Sequence, residues 1–73
     1  MLMNLDEYTK EQVLQLLVEV VHASVMYPTH KAYTRDNILH QKINISAKEL
    51  AETLGMPIGE ALVILSELTQ ERK

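Results

Sequence analysis

Apolar residues recur at helical spacing in two long stretches of the chain, and each stretch opens on a helix-start signal. Thr9-Lys10-Glu11-Gln12 is a capping box, in which the Thr9 hydroxyl accepts from the Gln12 amide and the Gln12 side chain reaches back. The helix it launches is predicted to run from about residue 10 to about 26, stopped by Pro28, because the residue before a proline is pushed out of helical geometry. Val13, Leu14, Leu16, Leu17, Val18, Val20, Val21 and Val25 cover most of its circumference and leave a narrow polar stripe of Glu11, Gln15, Glu19 and His22. So wide an apolar arc needs contacts on more than one side. The helix is either the central core element of a very small domain or lends part of its arc, Leu16 and Val20, to a dimer seam.

The second stretch begins at the capping box Ser46-Ala47-Lys48-Glu49. It predicts a short helix through Leu54 with Leu50, Ala51 and Leu54 inward, ended by a left-handed Gly55. Met56-Pro57-Ile58-Gly59 then reads as a turn, and a last helix runs from about Ile58 to Gln70 with Ile58, Ala61, Ile64, Leu65 and Leu68 as its core stripe. Leu62 and Val63 flank that stripe and are expected to be partly exposed, which makes them candidate interface residues. Between the two stretches the pattern fits two templates. Thr34 can cap a short helix carrying Ile38 and Leu39, or Leu39, Gln41, Ile43 and Ile45 can alternate along a strand. A short helix followed by an extended Ile43-Asn44-Ile45 is the preferred reading. The fold class is therefore all-α, a small trihelical helix-turn-helix-like domain with the option of one short strand before the C-terminal helix pair. Pro28, Gly55, Pro57 and Gly59 are the only punctuation, so residues 1–73 read as one domain: a long N-terminal helix, an irregular segment 27–45 and a helix-turn-helix over 46–70.

Composition sharpens this picture in three ways. A chain of 73 residues buries only about 60% of the surface it would expose unfolded. With no cysteine it has neither disulfides nor a thiolate zinc site to reinforce it, which leaves oligomerisation. Hydrophobic residues at 47% and charged residues at 23% are the balance of a folded domain. The net charge of −3 gives no general attraction to nucleic acid, yet Lys31, Arg35, Lys42 and Lys48 face a single Asp36 between Tyr27 and Lys48, so the middle is locally basic. No apolar run approaches membrane-spanning length, and the opening Met1–Glu7 has neither the basic start nor the apolar stretch of a secretory signal; the expected compartment is the cytoplasm, with no membrane partner.

The stretch from Ile45 to Leu62 resembles the helix-turn-helix of bacterial winged-helix regulators. It shares the Leu50-Ala51 pair, where the small residue lets two helices cross closely, the turn glycine Gly55, the apolar Met56, and Ala61, Ile64 and Leu65 as core positions of the second helix. The resemblance covers about 25 residues and implies a domain that offers its second helix to a partner. The sequence departs from that family where DNA would be read: Pro57, Gly59, Glu60, Leu62 and Val63 make an acidic and apolar face with no cation before Arg72, and no residues follow to build a wing.

Other chemistry is thinly represented. His22, His30 and His40 do not fall at ligand spacing with one another, with His30 and His40 read as solvated loop residues, so no metal or cofactor is expected. No glycine-rich phosphate loop or nucleophile set can be assembled, and Glu49 and Glu52 read as a solvated helix face, so the chain is read as not an enzyme. Tyr33, Lys31 and Arg35, with Lys42 and Lys48, form the candidate nucleic-acid set, since tyrosines stack on unpaired bases while cations track phosphates. Tyr27 and Tyr33 packed over helix ends, with the cations solvated, explain the same residues without nucleic acid. The expected function is a small non-catalytic regulatory or adaptor protein that forms a homodimer or binds a small protein partner through apolar helix faces. The alternative is a minimal DNA- or RNA-binding transcriptional regulator.

Overall fold

A computed structural model describes residues 8–71, and among these the chain forms four helices and no strand. Helix α1 spans Lys10–His22 and is capped as the sequence predicts: Thr9 Oγ1 accepts from the Gln12 amide at 3.1 Å, and the Thr9 amide donates to Gln12 Oε1 at 2.8 Å. It ends at His22 rather than near Met26. The Ala23 amide closes on the carbonyls of Glu19 and Val21, and the chain turns over Ser24, Val25 and Met26. Pro28 does not stop a helix. It sits in the first turn of the next helix, where a missing N–H has no intrahelical partner to lose and the fixed φ suits the helix.

Helix α2 begins at Tyr27–Tyr33, passes without a break into a π-helical stretch at Thr34–Ile38 and finishes with the turn Leu39–Gln41. Thr34 therefore does not cap a helix. It lies fully buried in the helix interior, its hydroxyl donating to the His30 carbonyl at 2.7 Å, while the Leu39 amide reaches back to the Thr34 carbonyl. The wider turn sets Ile38 and Leu39 side by side against the core. Ile43 and Asn44 form a turn and Ile43 is exposed, so the strand option is not taken.

Helix α3, Ala47–Leu54, starts where Ser46 Oγ accepts from the Glu49 amide at 3.1 Å. It ends at Gly55, whose φ of 70° is the left-handed conformation that a glycine adopts without a Cβ clash. Helix α4, Ile58–Glu71, then packs back across α3. Leu50, Ala51, Met56, Ala61, Ile64 and Leu68 make the core, closed from the α2 side by Tyr27, Ile38 and Leu39. Ile58 departs from the expected stripe and is exposed, although Glu60 and Ala61 in the same turn are buried.

Helix α1 is not the central element. Only Val21 is buried along its length, with Leu17 and Val18 half-buried, and it lies along the far side of α4 from α3. Gly59 eases this approach, since a Cβ there would sit 3.1 Å from Leu17 Cδ1 and the leucine would have to give by a few tenths of an ångström. No helix among the described residues is long and apolar enough to cross a membrane.

Candidate interaction surfaces

Helix α4 carries three glutamates, Glu60, Glu67 and Glu71, and each meets a partner from an earlier helix. Nδ1 of His30 lies 2.5 Å from Oε2 of Glu60, with the imidazole N–H donating to the carboxylate, and both side chains are largely shielded from water. Neither residue lies where the sequence pattern put it. Glu60 was expected on an outward acidic face but is 5% exposed, and His30 was expected in a solvated loop but stands on α2 facing it. About two helical turns further along α4, Glu67 accepts from the Tyr27 hydroxyl at 2.5 Å and from His22 Nε2 at 2.6 Å. Lys31 lies between Glu67 and Glu71, donating to Glu71 Oε2 at 2.6 Å, and its ammonium is 5.9 Å from the centre of the Tyr27 ring. The Glu71 hydrogen bond holds the Lys31 pKa above its ordinary value. Burial raises the Tyr27 hydroxyl pKa, and the Glu67 hydrogen bond adds to it.

This cluster makes stability depend on acid. Burial pushes the Glu67 carboxyl up, but the hydrogen bonds from Tyr27 and His22 and the charge of Lys31 outweigh it, and its pKa falls below the ordinary glutamate value. A folded-state pKa below the unfolded one contributes stability that is present above the unfolded value and is lost as pH falls through the folded one. Urea midpoints measured from neutral pH down to about pH 3 are therefore expected to fall on the acid side, and the Glu67→Gln variant is expected to show a shallower decline over that window. Parallel declines for the two proteins would remove Glu67 from the explanation.

Most of the basic middle is neutralised within the chain. Lys31 is committed to α4, Arg35 pairs with Asp36 at 2.9 Å, and Lys42 pairs with Glu49. Lys48 is exposed without an ion pair among the described residues, and Tyr33 is half-exposed at the surface of α2. A cleft of about 390 Å³ between the end of α2 and α4 is lined by Arg35, Leu39, His40, Leu68 and Glu71, but its guanidinium is already on Asp36 and its carboxylate on Lys31.

The candidate interface residues fall on two surfaces. Leu62, half-exposed, lines a groove of about 420 Å³ between α1 and α4 together with Leu14, Val18 and Ser66. Val63 was expected to be partly exposed beside it, yet it is 2% exposed, because α4 is covered by α3 on one side and by α1 on the other and Val63 faces α1. Leu16 and Val20 lie elsewhere. At about 100° per residue, Leu14 and Val18 fall on the groove side of α1, whereas Val13, Leu16 and Val20 share its opposite flank. Those three residues are 43%, 44% and 70% exposed, and they form a partly exposed apolar stripe. The stripe was detectable in the sequence as the excess width of the apolar arc. The His30–Glu60 contact was not, because nothing local pairs two residues thirty positions apart. Searches against protein-family models, curated proteins and solved structures return no match for the chain.

Proposed function

We propose that this chain is a small non-catalytic regulatory or adaptor protein that dimerises or docks on a protein partner through apolar helix faces, with the cytoplasm as its compartment. The observation that carries the reading is the exposed stripe of α1, where Val13, Leu16 and Val20 are 43%, 44% and 70% exposed. Contiguous apolar surface on a domain this small marks a contact site. The winged-helix resemblance is consistent with it: in such a domain the start of the second helix faces the partner. Here the first turns of α4 turn Glu60 and Val63 inward and leave Ile58 and Leu62 outside, an apolar surface in place of the polar one that base edges require.

The competing nucleic-acid reading loses support from the carboxylate partners of Lys31, Arg35 and Lys42, each of which would have to be displaced by a phosphate. The deciding measurement is a shift assay with generic duplex and single-stranded DNA and RNA across salt concentrations. No binding at low salt is expected. Binding that weakens steeply with salt, and that Lys31→Ala and Arg35→Ala each reduce regardless of sequence, would overturn the protein-contact reading.

A further inference from the structure

We propose that the groove between α1 and α4 is a binding site for a small uncharged amphiphile, an apolar body carrying one neutral hydrogen-bonding head group such as a hydroxyl. The inference goes beyond the protein-contact reading, which stands on Val13, Leu16 and Val20 on the opposite flank of α1. Two rows of side chains wall the groove. Leu14 and Val18 stand four residues apart on α1, and Leu62, Ser66 and Gln70 follow at four-residue steps on α4, so each row lies along one face of its helix. Val63, which is 2% exposed, closes the space between them. At about 420 Å³ the groove falls within the range of small-molecule sites, and it has their composition, apolar walls with a few polar groups gathered together.

The order of residues along α4 gives the ligand a direction. Over about 12 Å the row passes from the apolar Leu62 through the Ser66 hydroxyl to the Gln70 amide, so an apolar body lies against Leu14, Val18 and Leu62 with its head group toward Gln70. Charge on the head group is disfavoured in either sign. Glu67 is the one charged residue on the groove, and its carboxylate repels an anion. Its two oxygens already accept from Tyr27 and His22, with Lys31 at 3.4 Å, so a cation would have to compete with groups already in place. Ser66 and Gln70 remain. Thr34 and Thr53 turn their hydroxyls onto carbonyls four residues earlier, whereas the Ser66 hydroxyl and the Gln70 amide have no protein hydrogen-bond partner among the described residues. Both are neutral and both can donate and accept, which suits a hydroxyl.

The test uses N-phenyl-1-naphthylamine, an uncharged dye whose fluorescence reports an apolar site, with 1-hexanol, 1-heptanol and 1-octanol as competitors. One saturable site per chain is expected, with affinity rising about threefold to fourfold for each added methylene. Octanoate and octylammonium are expected to compete about tenfold less well than 1-octanol. Leu62→Glu places a carboxylate on one wall and is expected to weaken the dye and 1-octanol by about tenfold or more. Leu14→Glu is expected to do the same from the facing wall, so if circular dichroism shows that one variant fails to fold, the other decides. Val20→Glu, on the opposite flank of α1, is expected to leave both affinities within about twofold. An unmodified protein with no saturable site overturns the inference. So does a loss on Val20→Glu equal to that on Leu62→Glu, which moves the ligand to the exposed stripe. Octanoate or octylammonium competing as well as 1-octanol overturns the assigned class of ligand. All of these results leave the protein-contact reading standing, since that reading falls to the nucleic-acid assay instead.

Discussion

Replacing His30 by alanine is expected to lower the unfolding free energy by about 3 kcal/mol, near the lower end of what leaving a buried carboxylate without its hydrogen-bond donor costs. Glu60 is 5% exposed and has His30 as its hydrogen-bonding partner, so the substitution leaves a shielded carboxylate unpaired. The lower end applies because the His30 side chain keeps 16% of its surface in water, a route by which solvent can reach the orphaned group. A contrast isolates this cause from simple loss of packing. In the double variant His30→Leu, Glu60→Leu both polar groups go and apolar volume replaces them, and its stability is expected to lie within about 1 kcal/mol of the parent. Urea unfolding of the parent, the single and the double variants reads the comparison directly. A double variant as unstable as His30→Ala would show that the pair is held for its shape and not for its hydrogen bond.

The other large effect lies in the core. Ile64 has no exposed surface and packs among Leu50, Ala51, Ala61 and Leu68, where α4 crosses α3. Ile64→Ala removes three carbons from a site bounded by two helices and is expected to cost roughly 3 to 4 kcal/mol, the transfer loss plus the cavity that cannot collapse. Small domains have stabilities of only about 5 kcal/mol, so the variant is expected to be partly unfolded at physiological temperature. Leu62, two positions earlier and half-exposed in the groove, is the internal control, because Leu62→Ala is expected to cost less than about 1 kcal/mol in the monomer. Thermal melts followed by circular dichroism at low concentration separate the two. Equal losses at both positions would contradict the burial on which this ranking rests.

Short-range signals account for what was legible in the sequence. The caps at Thr9 and Ser46, the left-handed Gly55 and the inward positions Leu50, Ala51, Ala61, Ile64 and Leu68 each depend on residues a turn or so apart. Pro28 shows where such signals become ambiguous. A proline disfavours helix before it and favours helix after it, so the same residue marks an end or a beginning. Only the reversal over Ser24 to Met26 decides between them. Position within the fold was misjudged for α1 because an apolar arc reports how much surface needs covering and not what covers it. Val63 was misplaced for the converse reason: α4 has neighbours on two sides, so a position off the main stripe still reaches an interior. Among the surface candidates, the stripe at Leu16 and Val20 could be drawn from spacing. The inward turn of Glu60 depended on a histidine 30 positions away and the anchoring of Glu67 on one 45 positions away, separations at which no sequence periodicity operates.

The shallow seat of α1 has a consequence for how the molecule opens. Val21 is the one buried side chain of the helix, which is otherwise held by the His22–Glu67 contact, by Leu17 against Gly59 and by Val18 beside Val63, while the α3–α4 crossing carries the core. Elements with few buried apolar contacts open with less free energy than the global transition. The backbone amides of α1 are therefore expected to exchange with solvent through a partial detachment that leaves α3 and α4 closed, so that native-state hydrogen exchange reads two cooperative units instead of one.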